Sequence, residues 1–238
     1  MRLALVVTVF VTICITASAQ TESREQVLRQ IEATRAELSV LEDKLLAPSD
    51  EDRSAYAEFL KQPDTGLIRL LPRETYDKEN KLTIRGGGAY YSFALLTHAY
   101  GRGSDIELEQ NRLSVGFAGY DYGLLVKAGN GPPDELTFEH PFVRPLANYK
   151  AAETEPDARS EHRRFGAGVN LDGISIGNHQ PVEVNSNYVL RSLNYPDSDV
   201  LVVLRVVRKD QDGSVTILWK LLKRFPKPEV ARVNQSPN

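Results

Sequence analysis

The sequence predicts a mainly β protein, an antiparallel β-sandwich or open barrel of roughly nine to ten strands preceded by one or two N-terminal α-helices. Three observations carry this. From Gly66 onward, short apolar or alternating runs are separated by clusters of Gly, Pro, Asn and Asp. No helical pattern alternates with those runs, which argues against a doubly wound parallel sheet. Before Gly66, by contrast, apolar residues recur at helical spacing.

The elements follow in order. Met1-Arg2, an apolar run from Leu3 to Ile15 and the small residues Thr16-Ala17-Ser18-Ala19 have the layout of a secretory signal cut after Ala19. The run is short of the ~20 residues that a spanning helix needs. Export, to the periplasm or the medium, is therefore expected, with no transmembrane span after cleavage. Ile13 is too large for the residue before a lipid-bearing cysteine, which argues against a lipoprotein at Cys14. Thr21 to Leu46 reads as a helix. Val27, Ile31, Thr34, Leu38, Leu41 and Leu45 fall on one heptad seam, and Pro48 ends the run. A second helix is expected after Ser49 as N-cap, with Tyr56, Phe59 and Leu60 on one face and Pro63 as its stop.

Strands are expected over residues 67–71, 82–85, 89–96, 105–109, 113–117 and 123–128, with Gln110-Asn111 as a turn. Residues 129–187 are rich in proline and charge and read as a long irregular region, interrupted near 136–138 and 173–176. The clearest strands come last. Tyr188–Asn194 is one. Val200–Val207, nearly all apolar, suits a central strand covered on both faces. Asp212-Gly213 makes the turn into Val215, Ile217, Trp219 and Leu221. The predicted layout is a signal at 1–19, a helical segment at 20–63, a β-sandwich at 64–225 and a flexible tail at 226–238.

Composition narrows the chemistry. Cys14 and Met1 both lie in the signal, so the remaining chain carries no sulfur. That excludes disulfides, thiol catalysis and thiolate metal sites there. A cysteine-free exported chain points to a bacterial source. The net charge of −3 is mild and argues against nucleic acid as a partner. Charge is uneven, however, with eight basic and three acidic residues from Leu201 to the end.

Gly173-Ile174-Ser175-Ile176-Gly177 matches the G-x-S-x-G pattern of a hydrolase nucleophile, but no helical run follows and only His179 comes later. Gly86-Gly87-Gly88 reads as a strand corner or bulge. His98, His140, His162 and His179 have no metal-binding spacing, so neither a metal nor a cofactor is expected. Asp210-Gln211-Asp212-Gly213 has only a fragment of a calcium loop. Tyr90, Tyr91, Tyr120 and Tyr122 are the candidate ligand-binding residues. On a strand one of each pair faces outward, where its ring and hydroxyl suit a sugar.

These readings point to an exported, non-catalytic β-domain that binds a glycan or a protein partner. One alternative is an extracytoplasmic hydrolase. The other is an assembly protein that forms a homo-oligomer through residues 24–46.

Overall fold

The computed structural model describes residues 23–78, 82–101, 103–117, 119–171 and 173–231. The export signal at 1–19 and most of the C-terminal tail lie outside the described residues. The chain divides into two compact units between Leu41 and Glu42.

The first unit is the greater part of helix α1 (Arg24–Leu46). Ser23 and Gln26 close a reciprocal capping box at its start. The Gln26 N–H donates to the Ser23 hydroxyl, and the Ser23 N–H donates to the Gln26 side chain. Val27, Ile31 and Leu41 of the heptad seam are all exposed.

The second unit begins at Glu42. Helix α2 (Asp50–Ala55) is capped by Ser49, whose hydroxyl accepts from the Asp52 N–H. A single 3-10 turn follows at Phe59–Lys61. Then come β1 (Thr65–Leu70), α3 (Arg73–Tyr76), β2 (Tyr90–Tyr91), β3 (Ile106–Glu109), β4 (Arg112–Ser114) and β5 (Tyr122–Lys127). After a 3-10 turn at Pro133–Glu135 lie α4 (Arg144–Asn148) and α5 (Glu155–Ala167). The chain closes with β6 (Val169–Leu171), β7 (Ile174–Ile176), β8 (His179–Pro181), β9 (Asn187–Asn194), β10 (Ser198–Lys209) and β11 (Val215–Arg224).

All strand pairings between these elements are antiparallel. The main sheet runs β1-β11-β10-β9-β5, and a smaller one runs β2-β3-β4-β8. Both are open, so the chain is mostly β with an N-terminal helix, and no barrel closes.

Strand β10 sits at the centre of the main sheet, as its continuous apolar run demands. Val200, Val202, Leu204 and Val206 face one core, shared with Tyr91, Ile106, Leu108 and Leu113 of the smaller sheet. Leu201 and Val203 face a second core, shared with Leu146 of α4 and Phe165 of α5. Burying each such aliphatic side chain contributes about 1.5–3 kcal/mol. The strand is thus stabilised from both faces.

Several expectations need correction. The strands are not joined by turns alone, since α4 and α5 lie in the stretch that reads as irregular. Residues 82–85 form no strand but lead into a corner, and the run at 89–96 contracts to the two residues of β2. The second helix stops at Ala55, and no strand forms at 136–138. The triple glycine explains the lost strand. Gly86, Gly87 and Gly88 all take positive φ, at 84°, 62° and 77°. A Cβ on Gly87 would run into the backbone of Tyr76 and Asp77, and one on Gly88 into Leu46 and Leu71. The corner is fixed further by Glu42, which accepts from the Thr83 N–H, the Thr83 hydroxyl and the Ile84 N–H.

Candidate functional site

The four tyrosines do not make an outward-facing platform. Tyr90 and Tyr91 are both buried, although they are neighbours on a strand. Tyr91 packs into the core between the sheets, 5.2 Å from the Phe93 ring and 4.9 Å from His98. Tyr90 points the other way, but Tyr100 and Phe117 cover it at 4.5 and 5.3 Å. Its hydroxyl donates to Glu107, which Arg73 also holds at 2.8 Å. Burial and the Glu107 carboxylate push the Tyr90 hydroxyl well above its ordinary pKa. Burial takes Tyr91 up to about 12. Both hydroxyls stay neutral at physiological pH.

Tyr122 is buried too. Its ring stacks on Phe165, and its hydroxyl accepts from the Ala152 N–H at 2.9 Å. The same hydroxyl lies 3.1 Å from that of Tyr149, which donates to Glu161 at 2.6 Å. Only Tyr120 keeps a partly open face, beside Tyr195 at 5.6 Å and under the Arg159 guanidinium. Three of the four rings are therefore structural, and no glycan can stack on them.

The other motifs take ordinary places. Ser175 is exposed in the middle of β7, in the hairpin paired with β6, and no helix follows it. The strand–turn–helix context of a nucleophile elbow is missing. Each histidine has a local partner: His98 at Arg69 O, His140 at the Phe142 N–H, His162 at Asp121 O and His179 at the Asn178 side chain. Among the described residues no group of three His, Cys, Asp or Glu side chains could hold a metal. Asp210 pairs with Arg69 and Arg208, and Asp212 with Arg69. No helix among the described residues is long and apolar enough to cross a membrane.

A ligand-sized site lies elsewhere, in an open pocket of about 380 Å³. Its walls come from three parts of the chain. Tyr56 and Phe59 follow α2, Asn130 to Asp134 follow β5, and Arg205 and Leu218 face each other across β10 and β11. Arg205 continues the alternation of Leu201 and Val203, at the point where that face of the sheet leaves the core. The loop beside it is firmly held. The Asn187 side chain donates to Gly131 O at 2.7 Å and Ser186 to the Asn130 side chain at 3.0 Å. Arg205 Nη1 adds bonds to Gly131 O at 2.7 Å and to Asn130 O at 3.3 Å. At the rim, Lys220 reaches Asp134 at 3.0 Å and Gln62 at 2.7 Å.

The pocket thus sets two aromatic rings and two prolines beside an amide, a carboxylate and a guanidinium. Apolar walls with a few placed polar groups are the usual build of a small-ligand site. In the sequence Tyr56 and Phe59 read only as a helix face, and Arg205 belongs to a run that reads as nearly all apolar. The available signal was one charged residue inside an otherwise apolar central strand.

Comparison of the chain with protein-family models, curated proteins and solved structures finds no match.

Proposed function

We propose that the protein is an exported, non-catalytic binding module, and that its ligand is a glycan held in the Tyr56–Phe59–Arg205 pocket. In this reading the two larger sheets are the leaves of the sandwich that the alternation pattern predicts. They carry the pocket at the margin of the larger leaf. The observation that carries the proposal is the pairing of the Tyr56 and Phe59 rings with Asn130, Asp134 and Arg205. A sugar ring offers C–H bonds on its faces, which suit the electron-rich face of an aromatic ring, and hydroxyls on its rim, which need donors and acceptors.

Thermal unfolding against a glycan panel tests this. A ligand that binds only the folded form stabilises it by about 2.7 kcal/mol at a hundredfold excess over Kd. The expected result is a shift with one glycan class that Phe59→Ala abolishes. A flat panel, or a shift that survives Phe59→Ala, would sink the proposal.

The exposed seam of α1 favours a second role, self-assembly. Leu41 is 61% exposed and Ile31 40% exposed, on a face whose heptad spacing suits another α1. Light scattering is expected to give an oligomer that falls to a monomer with Ile31→Glu and Leu41→Glu combined. A monomeric starting protein would refute this role.

A further inference from the structure

We infer that the pocket selects acidic sugars, with Arg205 as the partner of a uronate carboxylate; this rests on reading the pocket as a glycan site. Arg205 differs from the arginines that a carboxylate holds. Arg69, Arg73, Arg191 and Arg208 each face at least one carboxylate within 2.9 Å. Arg205 faces none among the described residues, and its acceptors are Asn130 O, Gly131 O and Asn187 Oδ1.

All three of those acceptors meet Nη1. The guanidinium is planar, so fixing Nη1 fixes the whole group. The Nε and Nη2 donors form its other edge, and no described residue accepts from them. That edge is the fork that matches two carboxylate oxygens side by side.

The pocket's one carboxylate does not cancel this charge. Asp134 is already held by Lys220 at 3.0 Å and approached by Gln62 at 3.3 Å. No carboxylate among the described residues lies within 4.0 Å of the Arg205 guanidinium, which sits beside apolar walls that strengthen its field. An anionic ligand with a flat apolar face is what the site complements. A uronate unit has both, and its hydroxyls can meet Asn130 and Asp134. The open mouth lets a polymer continue past the bound unit.

The test is titration calorimetry with the purified full chain. The probes are a short oligogalacturonate and the same oligomer with its carboxyl groups reduced to alcohols. Binding of the acidic oligomer is expected to be at least tenfold tighter, and to weaken with added salt while the neutral oligomer's binding does not. Arg205→Gln should remove the preference, bringing the acidic oligomer's affinity down to that of the neutral one and abolishing its salt dependence. If that variant fails to fold, the salt dependence of the unaltered protein decides.

Equal affinities for the two oligomers, without a salt effect, overturn the acidic preference and leave a neutral-glycan site. Binding of neither oligomer while another glycan shifts the panel overturns the uronate assignment alone. A third probe, an apolar tripeptide with a free or an amidated C-terminus, covers the other source of a carboxylate. If the free peptide binds and no sugar does, both the uronate assignment and the glycan reading fall.

Discussion

Replacing Arg191 with Met is expected to cost about 3–5 kcal/mol of folding free energy. Arg191 on β9 and Asp199 on β10 form a two-bonded pair, Nε to Oδ1 at 3.0 Å and Nη2 to Oδ2 at 2.9 Å. Both side chains are 3% exposed. The remaining terminal nitrogen donates to the carbonyls of Leu146 at 2.7 Å and Tyr149 at 2.6 Å, at the end of α4. The guanidinium also lies 3.7 Å from the centre of the Phe225 ring. One side chain thus ties two strands of the main sheet, the helix above them and the segment that leaves β11.

The cost arises from what the substitution leaves behind. Burial already pushes the Asp199 carboxyl above its ordinary pKa, against the pull of Arg191. Without the guanidinium that carboxylate is buried and unpaired, and the α4 carbonyls lose their donor. Denaturant unfolding should show the loss as a lower midpoint with an unchanged slope. The double variant Arg191→Met, Asp199→Leu is expected to recover part of it, because removing both charges also removes their desolvation. It should not recover all, since the carbonyls stay unsatisfied. A single variant within 1 kcal/mol of the starting protein would show that water reaches the pair and that the two sides are not locked by it.

How far this structure is legible in the sequence depends on which signal each element carries. Strands β9, β10 and β11 are written plainly. A strand apolar on both faces can only lie at the centre of a covered sheet, and Asp212-Gly213 sets the turn beyond it. Helix α5 is harder to read because its apolar signal is thin. Only Ala158 and Phe165 of its thirteen residues are buried. Its boundary signals were nevertheless present. Thr154 accepts from the Asp157 N–H, Pro156 sits in the first turn, and Gly168 ends it at a φ of 79°. The tyrosine pairs misled for a different reason. Alternation on a strand tells which way Tyr90 points, but not that Tyr100 and Phe117 would cover it. The pocket is invisible in the sequence because its walls meet only through long-range contacts, as between Arg205 and Gly131. Spacing along a chain says nothing of that.

Asp105 links the two larger sheets, and its titration is expected to make the protein less stable at neutral pH than at pH 4. The carboxylate has no exposure to solvent. Its Oδ2 accepts from the Phe93 N–H at 2.7 Å, and its Oδ1 from the Asn194 side chain at 2.8 Å. It therefore fastens the turn after β2 to the end of β9, one sheet to the other. Burial outweighs these bonds and raises its pKa from 3.8 to about 6. Between those two values the folded chain holds a proton that the unfolded chain has released. Stability must then fall as pH rises across that window, by up to about 3 kcal/mol at 1.36 kcal/mol per pH unit. His98 works in the opposite sense, because burial lowers its pKa and so favours folding at higher pH. The Asp105 contribution is therefore isolated by difference. Asp105→Asn cannot ionise, so its stability should drop less from pH 4 to pH 7 than that of the unaltered protein, by roughly 2–3 kcal/mol. Carbon-13 titration of the Asp105 carboxyl in the unaltered protein reads the same quantity without a variant. A midpoint near 4, or parallel stability profiles, would mean that the hydrogen bonds from Phe93 and Asn194 outweigh burial, and that the two sheets are held by a carboxylate charged throughout.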